Sequence, residues 1–128
     1  MKPIKVLIVD DDPAVRAFSA TTLRSHGFEV AEATGGREAL AWCKTRPVDV
    51  IVLDNSMPDM PGIDVARSLR EDPTTADLPI MMLSGLSSDE DQWDGWRAGV
   101  DVYVTKPFEG DELVTHIERL VRVRSRSA

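Results

Sequence analysis

Three consecutive acids, Asp10-Asp11-Asp12, close an apolar run near the start of the chain, and a further acid, Asp54, closes another. Two more apolar runs end at Ser84-Gly85 and at Lys106-Pro107. Carboxylates, a small hydroxyl and an ammonium are the groups that hold a hard cation and handle phosphoryl oxygens, provided that one pocket gathers them. Like charges about 4 Å apart repel by roughly 4 kcal/mol at an effective dielectric near 20, so Asp10, Asp11 and Asp54 together require counter-charge. Lys106 supplies one positive charge. Oxygen ligands with no His or Cys among them favour Mg²⁺ over Zn²⁺ for the remainder. Asp54, kept ionised in such a pocket, could attack a phosphorus in line. Lys106 and Ser84 would then hold the transferred oxygens, and Gly85 leaves room for them. Taken singly, each residue has an ordinary explanation as a cap, a turn or a solvated loop. Their joint position at run ends is what carries weight.

The elements that must position these residues are legible from spacing. Apolar runs at 4–9, 28–33, 48–53, 79–83 and 102–105 alternate with helical patterns. Such alternation argues for βα units and a parallel sheet covered on both faces. In that architecture the carboxyl ends of the strands share one edge, where ligands bind. Asp12-Pro13 reads as an N-cap with proline at the first helical position. The first helix should carry Val15, Phe18, Thr22 and Leu23 inward and stop near Gly27. Gly35-Gly36 opens a second, with Ala39, Leu40 and Cys43, ended by Pro47. Pro61-Gly62 precedes a third, with Ile63, Ala66 and Leu69 on one face. Ser87-x-x-Glu90 has capping-box spacing and would start a fourth, bearing Trp93 and Trp96. The fifth follows Phe108, with Leu113, Ile117, Leu120 and Val121 as its apolar stripe.

Gross properties narrow the function. A chain of 128 residues fits one domain with a core that needs no staples. A net charge of -7 disfavours nucleic acid or an anionic membrane as the direct partner. The single cysteine, Cys43, forms no internal disulfide and reads as a packing residue. No apolar run has the length of a membrane span, and the opening residues do not read as a signal peptide, so a cytoplasmic location is expected.

With these residues in view, the chain resembles the receiver domain of two-component response regulators. The likeness rests on Val-Asp-Asp at 9–11, Leu-Asp-x-x-Met-Pro at 53–58 with Gly62 following, Met-Leu-Ser-Gly at 82–85, and Ala-Gly-Val-Asp-Val-Tyr-Val-Thr-Lys-Pro-Phe at 98–108. It implies a single doubly wound, flavodoxin-like α/β fold of five parallel strands, ordered 2-1-3-4-5, with five helices. Residues 1–123 would form the receiver, and 124–128 a tail or the start of a linker. It implies that Asp54 accepts a phosphoryl group from a phosphohistidine on a sensor histidine kinase or histidine phosphotransfer protein. Asp10, Asp11, Asp54 and the backbone carbonyl of Ser56 would bind Mg²⁺. Lys106 matches the phosphate-binding lysine, Ser84 the hydroxyl that moves toward the phosphoryl group, and Tyr103 the aromatic switch. The last two helices and the strand between them would be the output face, with room for a homodimer.

Three departures stand out. Trp93 and Trp96 are bulky for the fourth helix; three residues apart, they share a face that should pack on the core, with an enlarged apolar contact surface for a partner as the alternative. Pro61 occupies a position that is often polar in the family and should stiffen the loop near the metal. Leu86, at a position that tunes phosphoryl lifetime, is apolar and cannot position an attacking water, which argues against fast autodephosphorylation. Other classes fit less well. A phosphohydrolase of dehalogenase type would want an acid two residues after the nucleophile, where Ser56 stands. A nucleotide or flavin module would want a glycine-rich phosphate loop, which the chain lacks. A degenerate receiver, serving only as an interaction module, would not need Asp11, Asp54 and Lys106 together.

Overall fold

Runs rich in Val, Ile and Leu form five short strands, and the amphipathic segments between them form five helices. A computed structural model describes residues 2–85 and 89–127, with side chains described except at 89–93 and 124–127. The strands are β1 (Lys5–Val9), β2 (Glu29–Ala33), β3 (Val50–Asp54), β4 (Ile80–Ser84) and β5 (Val102–Thr105). The helices are α1 (Pro13–Ser25), α2 (Gly36–Thr45), α3 (Gly62–Glu71), α4 (Asp89–Ala98) and α5 (Gly110–Ser127). All strand pairs are parallel, in the order β2-β1-β3-β4-β5. The expected doubly wound fold is therefore the observed one. Leu86, Ser87 and Trp93 fall outside the described residues or side chains.

The period of two along each strand divides the core between the two faces. Leu7, Val9, Ile51, Leu53 and Met82 point to one side and meet Ala39 of α2, Val65, Ala66 and Leu69 of α3, and Ala98 of α4. Val6, Ile8, Val50, Val52, Met81 and Leu83 point to the other and meet Leu23 of α1 and Leu113, Val114 and Ile117 of α5. The central strands are buried throughout β3 and β4, as continuous apolar runs require.

Phe18 departs from expectation. It is 49% exposed, and its ring lies 6.0 Å from that of Phe108 in the loop before α5. The inward stripe of α1 is Ser19, Ala20 and Leu23. A separation of five residues turns Phe18 about 140° around the helix from Leu23, so both cannot face the sheet. Small residues at 19 and 20 let α1 approach closely instead.

Two long-range polar clamps complete the frame. Arg70, in the last turn of α3, donates to the carbonyls of Gly99, Ala76 and Leu78 and to the Asp101 carboxylate. Asp101 in turn accepts from the N–H of Ile80 at 2.7 Å. This clamp holds the start of β4 and the turn into β5 against the end of α3. The second clamp caps α2, whose own N-cap, Gly35, offers no side chain. Asp59, from the loop before α3, accepts from the N–H groups of Gly36 at 3.1 Å and Arg37 at 3.0 Å. A carboxylate at a helix N-terminus satisfies donors that would otherwise lack partners and meets the positive end of the dipole. The Arg37 N–H, aided by that of Gly36, holds the Asp59 carboxyl below its ordinary 3.8. An acid with a lowered folded pKa stabilises the fold above its unfolded pKa and loses that contribution as pH falls through the folded value. Asp59→Ala should therefore cost about 1 kcal/mol near neutral pH, the usual worth of an N-cap. In urea denaturation the gap from wild type should close below pH 4 or so. A gap that persists at low pH would show that packing, not charge, is what Asp59 contributes.

Candidate functional site

Sheet register brings the strand-end chemistry together. Val9 of β1 is paired with Leu53 of β3, so the residues that follow, Asp10 and Asp54, stand side by side. Asp54 is paired with Leu83 of β4, and Ser84 with Thr105 of β5, just before Lys106. Backbone hydrogen bonds extend the ladders past these tips: Asp10 N–H to Ala33 O at 3.2 Å, Asn55 N–H to Leu83 O at 2.9 Å, and Lys106 N–H to Ser84 O at 2.8 Å. Each functional side chain thus leaves from a fixed point of the sheet, not from a free loop.

Asp10, Asp54 and Ser84 are 1%, 4% and 2% exposed, whereas Asp11 faces solvent. Lys106 reaches over the sheet edge. Its Nζ donates to Asp54 Oδ1 at 2.9 Å and lies 3.6 Å from Asp10 Oδ2. Asp10 Oδ1 accepts from the Asp12 N–H at 2.9 Å, while Asp10 Oδ2 is buried with no hydrogen-bond partner. Burial pushes the Asp10 carboxyl above its ordinary range, and the charges of Asp54 and Asp11 add to this against the Asp12 N–H and Lys106. Burial alone would lower the Lys106 pKa. The Asp54 hydrogen bond and the Asp10 and Asp54 charges outweigh it, so the pKa is raised.

Carboxylate oxygens from Asp10, Asp11 and Asp54 all lie within 4.8 Å of one another. One lysine cannot neutralise three such groups. The buried Asp10 Oδ2 that accepts no hydrogen bond, the mutual proximity of the three carboxylates and an all-oxygen donor set fit a hard divalent cation. Ser56 sits exposed beside Asp11, and both line one open cleft with Asn55 and Pro61. Met57, 6% exposed, pins that loop into the core and leaves Ser56 outside. Pro61 is the N-cap of α3, its carbonyl accepting from Asp64 N–H at 3.0 Å. Gly62 is required where it stands, because a Cβ there would come within 2.6 Å of the Asp54 carbonyl oxygen.

Asp12 caps α1 as expected, its Oδ1 accepting from Ala14 N–H at 2.9 Å. Tyr103 does not join the acid cluster. It is paired with Met82 on the face shared with α3 and α4, half-buried, with its ring 5.9 Å from that of Trp96. Sequence reasoning missed Arg16. Its Nη1 donates to the Asp10 carbonyl at 2.8 Å, and its Nε lies 3.4 Å from Glu32 on β2. That anchors the backbone of the acidic loop. Its place one turn into a helix that begins beside a cluster of acids was the available signal.

Comparison with known proteins gives one family throughout. The family described as response regulator receiver domain matches residues 6–118. The transcriptional regulatory protein PrrA of Mycobacterium leprae is 44% identical over 125 residues, covering 97% of this chain and 52% of that protein. The chain spans about half the length of the curated relatives it matches. The chemotaxis protein CheY4 of Vibrio cholerae superposes with a TM-score of 0.89 at 34% identity, covering 93% of this chain and 99% of that one. The receiver domain of the sensor histidine kinase PA1611 of Pseudomonas aeruginosa, solved with a magnesium ion in its active-site cleft, superposes with a TM-score of 0.87 at 26% identity, covering 94% of this chain and 98% of that one.

Proposed function

The chain belongs to the response regulator receiver domain family, and from that premise we propose that Asp54 is its phosphoacceptor and that Asp10, Asp11, Asp54 and the Ser56 carbonyl form its Mg²⁺ site. The observation that carries this reading is the Lys106 ammonium set between two buried carboxylates, with the carboxylate of Asp11 close by. In the transfer, a carboxylate oxygen of Asp54 forms the new P–O bond as the P–N bond to the donor histidine breaks. The electron pair leaves on the imidazole nitrogen, which takes up a proton. Lys106 orients the Asp54 carboxylate through its hydrogen bond, then serves the product oxygens, and catalysis is positioning and charge neutralisation. Mg²⁺, when bound, supplies the positive charge that phosphoryl oxygens require. The magnesium in the PA1611 receiver supports this choice of metal.

The donor is a sensor histidine kinase or a histidine phosphotransfer protein, in the cytoplasm. Ser84, buried at the next strand tip, supplies the hydroxyl that follows the phosphoryl group, and Tyr103 is the residue whose ring responds. A phosphoryl group shifts such an equilibrium only by what it gains differentially in the two states. The face of α4, β5 and α5 is where those states differ for a partner, a second copy of the chain included. With a net charge of -7, direct contact with nucleic acid is not expected of this chain.

The test is incubation with acetyl phosphate, with and without Mg²⁺, followed by intact mass. One phosphoryl group should be gained with Mg²⁺ and none with excess chelator. Labelling that is indifferent to Mg²⁺ would sink the metal assignment, and no labelling at all would favour a degenerate receiver. Mg²⁺ alone should also stabilise the fold, by about 2.7 kcal/mol at one hundred times its Kd. Urea denaturation with and without the ion checks this, and Asp11→Asn should lose most of the gain.

A further inference from the structure

We propose that Gly95 is a positioning residue for Tyr103, because the missing side chain at 95 makes the seat in which the tyrosine ring rests against α4. This deepens the switch reading given above and rests on it for its consequence, though not for the seat itself. A Cβ built on Gly95 would overlap the Tyr103 hydroxyl and the ring carbons Cε2 and Cζ. Trp96, the next residue, sets its ring edge-on to the tyrosine at 5.9 Å and 71°. The seat thus has a floor of bare helix backbone and a wall of indole.

Conformational need does not explain this glycine. Gly95 lies inside α4 and, among the described residues, is not one of those with positive φ, Gly27 and Gly99. Glycine inside a helix weakens it relative to alanine. Gly95 is buried, and what presses on it is the Tyr103 ring. Space for the ring is the physical reason for a residue that the helix itself disfavours. Any larger residue at 95 must push the ring out or lift α4 from β5. A ring that moves between two places needs a defined site in each, and the seat on α4 provides one of them. The depth of this seat therefore helps set how far the phosphoryl group can move the population.

Tyr103 is the only tyrosine in the chain, so ring-labelled tyrosine gives one set of aromatic signals. In the unphosphorylated protein these should be displaced from free-tyrosine values by the neighbouring indole. Gly95→Ala and Trp96→Leu should each move them toward free values. Unchanged signals in Gly95→Ala would overturn the seat. Urea denaturation supplies an independent reading. Gly95→Ala should lower the midpoint of the wild type but raise it in a Tyr103→Ala background. There the unfolding constant should fall about threefold to fivefold, the usual gain from replacing a helical glycine. The same sign in both backgrounds would overturn the proposal. Should Gly95→Ala alone fail to fold, a folded double variant supports the seat and an unfolded one refutes it. Addition of acetyl phosphate and Mg²⁺ then separates the two layers. Wild-type tyrosine signals should move as label is gained, and the change should be altered in Gly95→Ala. Label without any movement of Tyr103 would remove the consequence for switching. Failure to label would instead refute the assignment of Asp54.

Discussion

Asp54→Asn should abolish phosphoryl uptake while leaving the protein folded. The amide keeps the shape of the carboxylate but has no charge, so it neither attacks phosphorus nor completes the metal site. Labelling by acetyl phosphate with Mg²⁺, read by intact mass, should fall to nothing. Equal labelling of variant and wild type would remove the central assignment. The stability of the variant tells a dead site from an unfolded chain. Asp10 and Asp54 are both buried and repel one another, and Lys106 already lies 3.6 Å from Asp10 and would retain that partner. Without divalent ion, Asp54→Asn should therefore be at least as stable as wild type in urea. With Mg²⁺ the order should reverse, since the variant has lost a ligand. A variant that is destabilised in both conditions would mean that Asp54 is chiefly a structural partner of Lys106.

Lys106→Met carries the largest expected stability effect. It keeps the aliphatic stem and removes the ammonium that the structure sets against the Asp10 and Asp54 carboxylates. Breaking a buried ion pair costs about 3–5 kcal/mol. The Lys106 side chain is 27% exposed, so solvent screening should reduce this to about 2–3 kcal/mol at pH 7 without divalent ion. The sign with pH follows from the raised pKa of Lys106. A base whose folded pKa is raised contributes fully below its unfolded value of 10.5 and loses that contribution only as pH rises through the folded value. The gap between wild type and variant should therefore persist across neutral pH and close in strong alkali. It should also shrink with Mg²⁺, which would relieve the same repulsion. Phosphoryl uptake should fall about a hundredfold or more, as expected when a donor to the reacting oxygens is removed. A variant as stable as wild type at pH 7 in chelator would show that the two carboxylates do not depend on this lysine.

The acid cluster was legible because its members end apolar runs, and a parallel sheet places all such endings on one edge. Helix bounds were legible where the signal is local: Asp12-Pro13 opens α1 and Pro47 follows α2. Asp59 capping α2 from 23 residues away was not legible. Neither was Arg70 reaching Gly99 across 29 residues. Both depend on how two finished elements dock, and no local pattern encodes that. Phe18 was misjudged for a related reason. An apolar residue at the margin of a helical stripe can face the sheet or a neighbouring loop, and only the docked phase of the helix chooses between them.

The order of polar and apolar residues alone determined the parallel α/β architecture, the edge that carries chemistry and the residue types gathered there. These follow from short-range rules of period, capping and burial. Tertiary structure alone decided that Asp10 keeps one buried oxygen without a hydrogen bond, that Arg16 anchors the acidic loop, and that Tyr103 rests on a bare stretch of α4. Each is a distance of a few ångströms between distant parts of the chain. Packing sets such distances, and no spacing along the sequence specifies them.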